Sequence, residues 1–252
     1  MRKEHSYIVS PGAEVSIIPV LQGEGIQKIN EAELPDTLPI LALRNAVLFP
    51  GTVFPVTIGR DKSIRLIRDA EKHELFIGCV PQTDVTVEEP QQKDLFPYGT
   101  VAKILKAIEM PDGTITAIIQ GFKRLSVDGI IDDDPYLVAR VHYLDDQLLD
   151  ADSNAVKVLA GSLKEAAGQI IRSSSIASRE AVDALRSIDN FPFLVNFIAT
   201  TVEVDEFADK VDLLRYDDLR ARAMKLLSIL NLQLEISKIK QDINQKVKSE
   251  ID

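Results

Sequence analysis

The sequence predicts an α+β fold: a small pseudo-β-barrel with one helix, followed by a helical subdomain that ends in a very long α-helix. Three observations predict it. Eleven of the twelve prolines lie at or before Pro135, and neither proline nor glycine occurs after Pro192. Breakers at short intervals suit strands joined by turns, whereas a long tract without them suits helices. Short runs of alternating apolar residues recur as far as Leu144, and from Leu219 onward apolar residues return at helical spacing.

Residues 1–34 carry mixed charge punctuated by Pro11-Gly12, Pro19, Gly23 and Gly25, and read as a mobile tail. The stretch 38–70 organises the rest of the chain. Leu38, Ile40 and Ala42 alternate with Leu41 and Leu43, Val47-Leu48-Phe49 forms an apolar run, and Pro50-Gly51 breaks the chain. Thr52–Ile58 reads as a β-branched strand whose Pro55 belongs at an edge or a bulge. Asp61 is placed to cap a helix with Ile64, Ile67 and Ala70 on one face.

Further strands are expected at 75–81, 100–109, 114–120, 125–131 and 136–144, with a glycine-dependent hairpin turn at Met110-Pro111-Asp112-Gly113. One helix is expected from Asp152 or Ser153 to Arg172. Another follows Ser178, a third follows Asp189 or Asn190 with Pro192 just inside, and a short fourth opens at Asp205. From Asp217 a helix to the chain end would be about 50 Å long. Its dense stripe is Leu219, Ala223, Leu226, Leu230 and Leu234, thinning to Ile236, Ile239, Ile243 and Val247, a seam that suits an inter-domain or inter-subunit contact. The expected division is therefore a tail over 1–34, a β-rich barrel over 35–147, a helical bundle over 148–216 and a terminal helix over 217–252.

Composition narrows the function classes. With 29 basic against 39 acidic residues the net charge is −10, which disfavours nucleic acid, since phosphate binding needs a basic footprint. No secretory signal and no apolar run long enough to span a membrane is present, and the single Cys79 fits a reducing cytoplasm as a small buried hydrophobe. There is no phosphate-cradling glycine loop and no nucleophile elbow. His5, His73 and His142 stand apart from partners at ligand spacing, and Asp132–Asp134 reads as a solvated turn. No catalytic, cofactor-binding or metal-binding residue is put forward. What remains is surface, and on the rule that exposed apolar area marks interaction sites the contact candidates are Arg44, Phe54, Phe96, Tyr98 and Phe122.

The blocks Leu38-Pro39, Leu43-Arg44, Val47, Phe49-Pro50, Pro55-Val56 and Gly59-Arg60 stand in the order of a family signature, and the chain resembles the Lon protease N-terminal domain. The resemblance continues through Tyr98-Gly99-Thr100-Val101-Ala102-Lys103-Ile104, Gln120-Gly121-Phe122-Lys123-Arg124 and Pro135-Tyr136-Leu137-Val138-Ala139, with Tyr98 departing from the usual apolar residue. It implies a PUA-like barrel and a non-catalytic region for capturing unfolded or tagged proteins and supporting ring assembly, as a homo-oligomer (hexamer) in the full-length protein. The region would lie ahead of an ATPase domain and a Ser-Lys protease domain. ATP and magnesium would then belong only to that downstream part. The alternative is a stand-alone adaptor with the same barrel and no protease. A third option, a barrel of the RNA-modification type, conflicts with the acidic balance.

Overall fold

The computed structural model describes residues 34–148, 153–173 and 179–251; all of the expected tail but Leu34, and the proposed caps Asp152 and Ser178, lie outside them. The fold is mixed, with one six-stranded sheet and six helices among the described residues.

Strand β1 (Thr37–Leu43) is buried on both faces, and its alternation sorts the two sides. Leu38, Ile40 and Ala42 enter one apolar cluster while Leu41 and Leu43 enter another. The chain crosses through β2 (Val53–Ile58) and helix α1 (Asp61–Lys72) to β3 (Ile77–Pro81), which pairs parallel with β1. A parallel pair needs such a crossover, and α1 buries Leu66, Ile67 and Ala70 in doing so. Asp61 does not cap α1: the N-cap is Arg60, which forms no side-chain cap bond, and Asp61 is the first helical residue. Pro55 lies on β2, which among the described residues pairs only with the strand after the hairpin, so its missing N–H costs no ladder bond on the open side.

Strands β4 (Tyr98–Glu109) and β5 (Ile115–Asp132) form the long hairpin, with Gly113 at φ 87° in the turn and its N–H donating to the Met110 carbonyl at 3.0 Å. The two strands expected at 114–120 and 125–131 are one continuous strand. Register shifts against β4 and against the last strand let it bend while the ladder continues. Gly121 sits inside it because a Cβ there would come within 2.7 Å of the Phe49 carbonyl oxygen. β6 (Val138–Leu144) pairs with both β1 and β5, so the ladder returns on itself.

The helices are α2 (Asn154–Ser173), α3 (Arg179–Ser187), α4 (Phe191–Thr201), α5 (Phe207–Asp212) and α6 (Leu219–Ile251). Ser153 Oγ accepts the Val156 N–H at 3.3 Å and Asn190 Oδ1 accepts that of Phe193 at 2.8 Å, the caps the sequence places there. Two starts differ from expectation. Glu206, not Asp205, is the N-cap of α5, and α6 begins at Leu219, where the Asp218 carboxylate, not that of Asp217, accepts the N–H groups of Arg220 and Ala221.

The helical core encloses two buried side chains from the sheet half. Val47 and Phe49, both buried, belong to the same cluster as Leu163, Leu194, Phe197, Leu214 and Leu226. Gly51, at φ 77°, turns the chain beneath the Phe193 ring, and Asn196 Nδ2 donates to the Pro50 carbonyl at 3.1 Å. Near residue 147 the secondary structure changes, and Val47 and Phe49 reach from the sheet half into the helical cluster.

Candidate functional site

Two polar places stand out, and neither is built from the residues the sequence nominates. The first is the seam between sheet and helices. Arg124 on β5 and Arg222 on α6 are both fully buried. Arg124 donates through Nε to Asp146 at 2.8 Å, through Nη1 to the Leu214 carbonyl at 2.6 Å, and through Nη2 to the Asp145 carbonyl at 3.0 Å and Asp217 at 3.1 Å. Arg222 reaches the same Asp146 at 2.6 and 3.2 Å and also donates to the Tyr216 carbonyl. Burial lowers the Arg222 pKa, with the neighbouring Arg124 charge adding to the effect, while Asp146 and Asp217 oppose it. Among the described residues no buried side-chain nitrogen or oxygen lacks a partner. This is a satisfied network, and its job is to fix the orientation of α6 on the sheet.

The second is a cleft of about 740 Å³ at the amino-terminal end of α1, large enough for a ligand of several residues. It is lined by Gly59–Ser63, Glu88–Gln92, Ile130–Asp133 and Tyr136–Leu137, with the nearly buried Ile40, Ala42 and Leu66 behind them. Ile131 lies on it 53% exposed. Gln82, only 1% exposed, organises one wall. Its side-chain oxygen accepts from Arg60 at 2.6 Å, and its amide donates to the carbonyls of Asp84 and Val87 at 3.1 and 3.0 Å. Arg60 also donates to the Ala42 carbonyl at 2.5 Å; its pKa is lowered by burial first and by the Arg44 charge second. On the opposite wall Lys62 donates to the Asp133 carbonyl at 3.0 Å. Burial raises the Tyr136 pKa, and Asp69 adds to the rise.

The nominated contact residues are scattered. Arg44 comes to the edge of the cleft, paired with Glu88 at 2.8 Å and donating to the Val87 carbonyl at 3.3 Å. Phe54 is 5% exposed in the core under α1, so it presents no contact surface: β2 turns that ring inward. Phe96 and Tyr98 pack on the helical core, Phe96 edge-on to Phe207 at 6.3 Å between ring centroids. Phe122 packs edge-on to Phe76 at 6.2 Å, away from the others, with the Lys103 ammonium over the Phe76 ring at 4.5 Å. On α6, Ile239 and Ile243 are 58% and 55% exposed and Ile236 is half-buried; the Val247 side chain lies outside the described ones. Cys79 is buried, which pushes its thiol pKa well up. Among the described residues, no cluster of three His, Cys, Asp or Glu is disposed to hold a metal ion, and no helix is long and apolar enough to cross a membrane. The cleft escapes sequence reading because its acids come from three separate segments, and Gln82 carries no pattern at all.

Residues 37–232, which contain the sheet, the cleft and the seam, match the family model of the ATP-dependent protease La (LON) substrate-binding domain. The chain belongs to this family. It is 38% identical over 240 residues to a Lon protease of Flavobacterium johnsoniae, covering 95% of this chain and 29% of that protein. It is 39% identical over 238 residues to a Lon protease of Cytophaga hutchinsonii, covering 94% and 29% respectively. With Lon protease of Escherichia coli the identity is 30% over 215 residues, covering 85% of this chain and 27% of that one. The chain thus spans less than a third of the length of these relatives. The fold is shared with the solved N-terminal domain of a Mycobacterium avium complex Lon protease, at TM-score 0.61 and 18% identity over 77% of this chain and 98% of that one.

Proposed function

We propose that this chain is the polypeptide-capturing region of an ATP-dependent Lon-type serine protease, and that the cleft at the head of α1 is where captured segments dock. The observation that carries the reading is that the matched span, residues 37–232, includes a partly apolar cleft braced by Gln82 and Arg60. The returning sheet ladder supports reading 35–147 as a PUA-like barrel, with 148–216 a helical bundle and 217–252 a helix that sets the distance to a downstream motor. ATP, magnesium and Ser-Lys chemistry belong to that motor and not to these residues. The partners are unfolded or tagged proteins in the cytoplasm, and neither nucleic acid nor membrane. The exposed Ile239 and Ile243 support a contact between subunits of a homo-oligomer, a hexamer in the full-length protein.

Fluorescence anisotropy of labelled, permanently unfolded casein with the purified chain tests capture. Saturable binding, competed by other unfolded chains and not by their folded forms, is expected, with photo-crosslinks at 59–63 and 130–133. Binding that maps wholly to α6 would move the site off the cleft. Equal affinity for folded and unfolded competitors would remove the capture function.

A further inference from the structure

The cleft carries more than apolar lining. Five carboxylates surround it, Asp61, Glu88, Glu89, Asp132 and Asp133, against two cations, Arg60 and Lys62. Both cations are engaged inward. The Arg60 guanidinium donates to Gln82 and the Ala42 carbonyl, and the Lys62 ammonium donates to the Asp133 carbonyl. Among the acids, Glu88 is held by Arg44, and Asp132 accepts the backbone N–H groups of Asp133 and Asp134. Asp61, Glu89 and Asp133 have no ion-pair partner among the described residues, and all three are exposed. The amino-terminal end of α1 adds partial positive charge at the cleft, which Asp61 in the first turn offsets. The result is a partly apolar cleft whose lining carries more negative than positive charge.

Resting on the capture reading above, we infer that the cleft selects polypeptide segments in which an aliphatic or aromatic side chain is flanked by lysine or arginine. The apolar side chain packs on the exposed Ile131, while its cationic neighbours meet Asp61, Glu89 and Asp133 at the rim. Apolar contact gives affinity without much choice among unfolded chains, since nearly all of them carry apolar residues. The rim charge supplies the choice, because like charge brought to it is penalised. Segments with acidic flanks are turned away.

The test uses end-blocked fluorescent peptides with one Leu-Phe centre, flanked on both sides by Lys, Gln or Glu, titrated into the whole chain at low and high salt. Expected is tighter binding in the order Lys, Gln, Glu, with about tenfold between the extremes at low salt and compression of the series as salt screens it. The triple variant Asp61→Asn, Glu89→Gln, Asp133→Asn should collapse the series. A control triple on the helices, Glu165→Gln, Asp183→Asn, Glu235→Gln, removes the same charge and should leave the series intact. Ile131→Ser should weaken all three peptides while keeping their order. The single reversal Asp133→Lys leaves Asp61 and Glu89 as the free acids of the rim and should narrow the spread between the Lys and Glu peptides even if the triple variant folds poorly. Equal affinities for the three peptides, or an unchanged series in the rim triple, would overturn the charge selection while leaving capture standing. If none of the peptides binds and unfolded casein does not bind either, the capture reading fails and takes this inference with it.

Discussion

At the seam, each side-chain nitrogen of Arg124 and of Arg222 donates a hydrogen bond, and the Asp146 carboxylate is shared between the two guanidiniums. At the cleft, the same residue types are divided differently: the cations turn inward to neutral oxygens, and Asp61, Glu89 and Asp133 face water with no cation on them. The seam charges are buried and complementary, so they determine geometry. The cleft charges are exposed and one-sided, so they cost the fold little and leave a field for something else to answer. Burial together with completeness of pairing, not residue type, separates a charge that holds the protein together from one that meets a partner.

The contrast breaks first at Asp146. Asp146→Ala removes the carboxylate shared by the two buried guanidiniums and leaves Asp217 as the carboxylate hydrogen-bonded to Arg124, and should cost about 3–5 kcal/mol. Asp61→Asn at the cleft should stay within about 0.5 kcal/mol, as surface substitutions do. Urea denaturation followed by circular dichroism measures both, and similar costs for the two would erase the distinction between the places.

Phe49→Ala tests whether sheet and helices share one core. The ring is fully buried among Leu194, Phe197 and Leu226 although its chain position lies between β1 and β2. A loss of about 3–5 kcal/mol is expected. The chain has no tryptophan, so circular dichroism for the helices and the fluorescence of Tyr136 and Tyr143, with the other tyrosines replaced by Phe, should report one coincident transition. Two separated transitions would show the halves to be independent units.

Next in size is Gln82→Leu. The apolar replacement fills the space but abandons the Asp84 and Val87 carbonyls and one Arg60 donor, for about 1–3 kcal/mol. Amide hydrogen exchange should accelerate at 84–92 and remain unchanged at the seam. Unaltered protection of 84–92 would mean that Arg44 alone holds that wall.

Legibility in the sequence follows a divide between repetition and convergence. The alternation in β1, the edge placement of Pro55, the Gly113 turn and the caps at Ser153 and Asn190 are readable because each depends on a few neighbouring residues. β5 reads as two strands because Gly121 looks like a break. It is instead a close approach to the Phe49 carbonyl, which no local pattern announces. Asp132–Asp134 reads as a solvated turn and does lie exposed, but its meaning at the cleft arises from Asp61 and Glu89, distant in sequence. Phe54 is a contact candidate on residue type alone, and only the fold reveals that β2 turns it inward.

Lys210 sharpens the contrast with the smallest effect, because it is intermediate between the two places. Its ammonium donates to the Thr200 and Val202 carbonyls at 3.1 Å, closing the carboxyl-terminal end of α4, and its partners there are neutral. Burial brings its pKa down to about 8, against a weaker opposing pull from Glu203. Below that value the side chain is charged in both the folded and the unfolded protein, and the cost of burying the charge is fully present. Between about 8 and the ordinary lysine value the unfolded chain binds more protons than the folded one, so stability rises with pH through that window. The rise attributable to this group should be on the order of 1 kcal/mol, reduced because the side chain is not wholly sealed from water. Lys210→Met removes the titration, so wild type minus variant, measured by urea midpoint from pH 7.5 to 10, should grow in favour of the wild type. A flat difference would mean that the ammonium reaches water freely and belongs with the cleft charges.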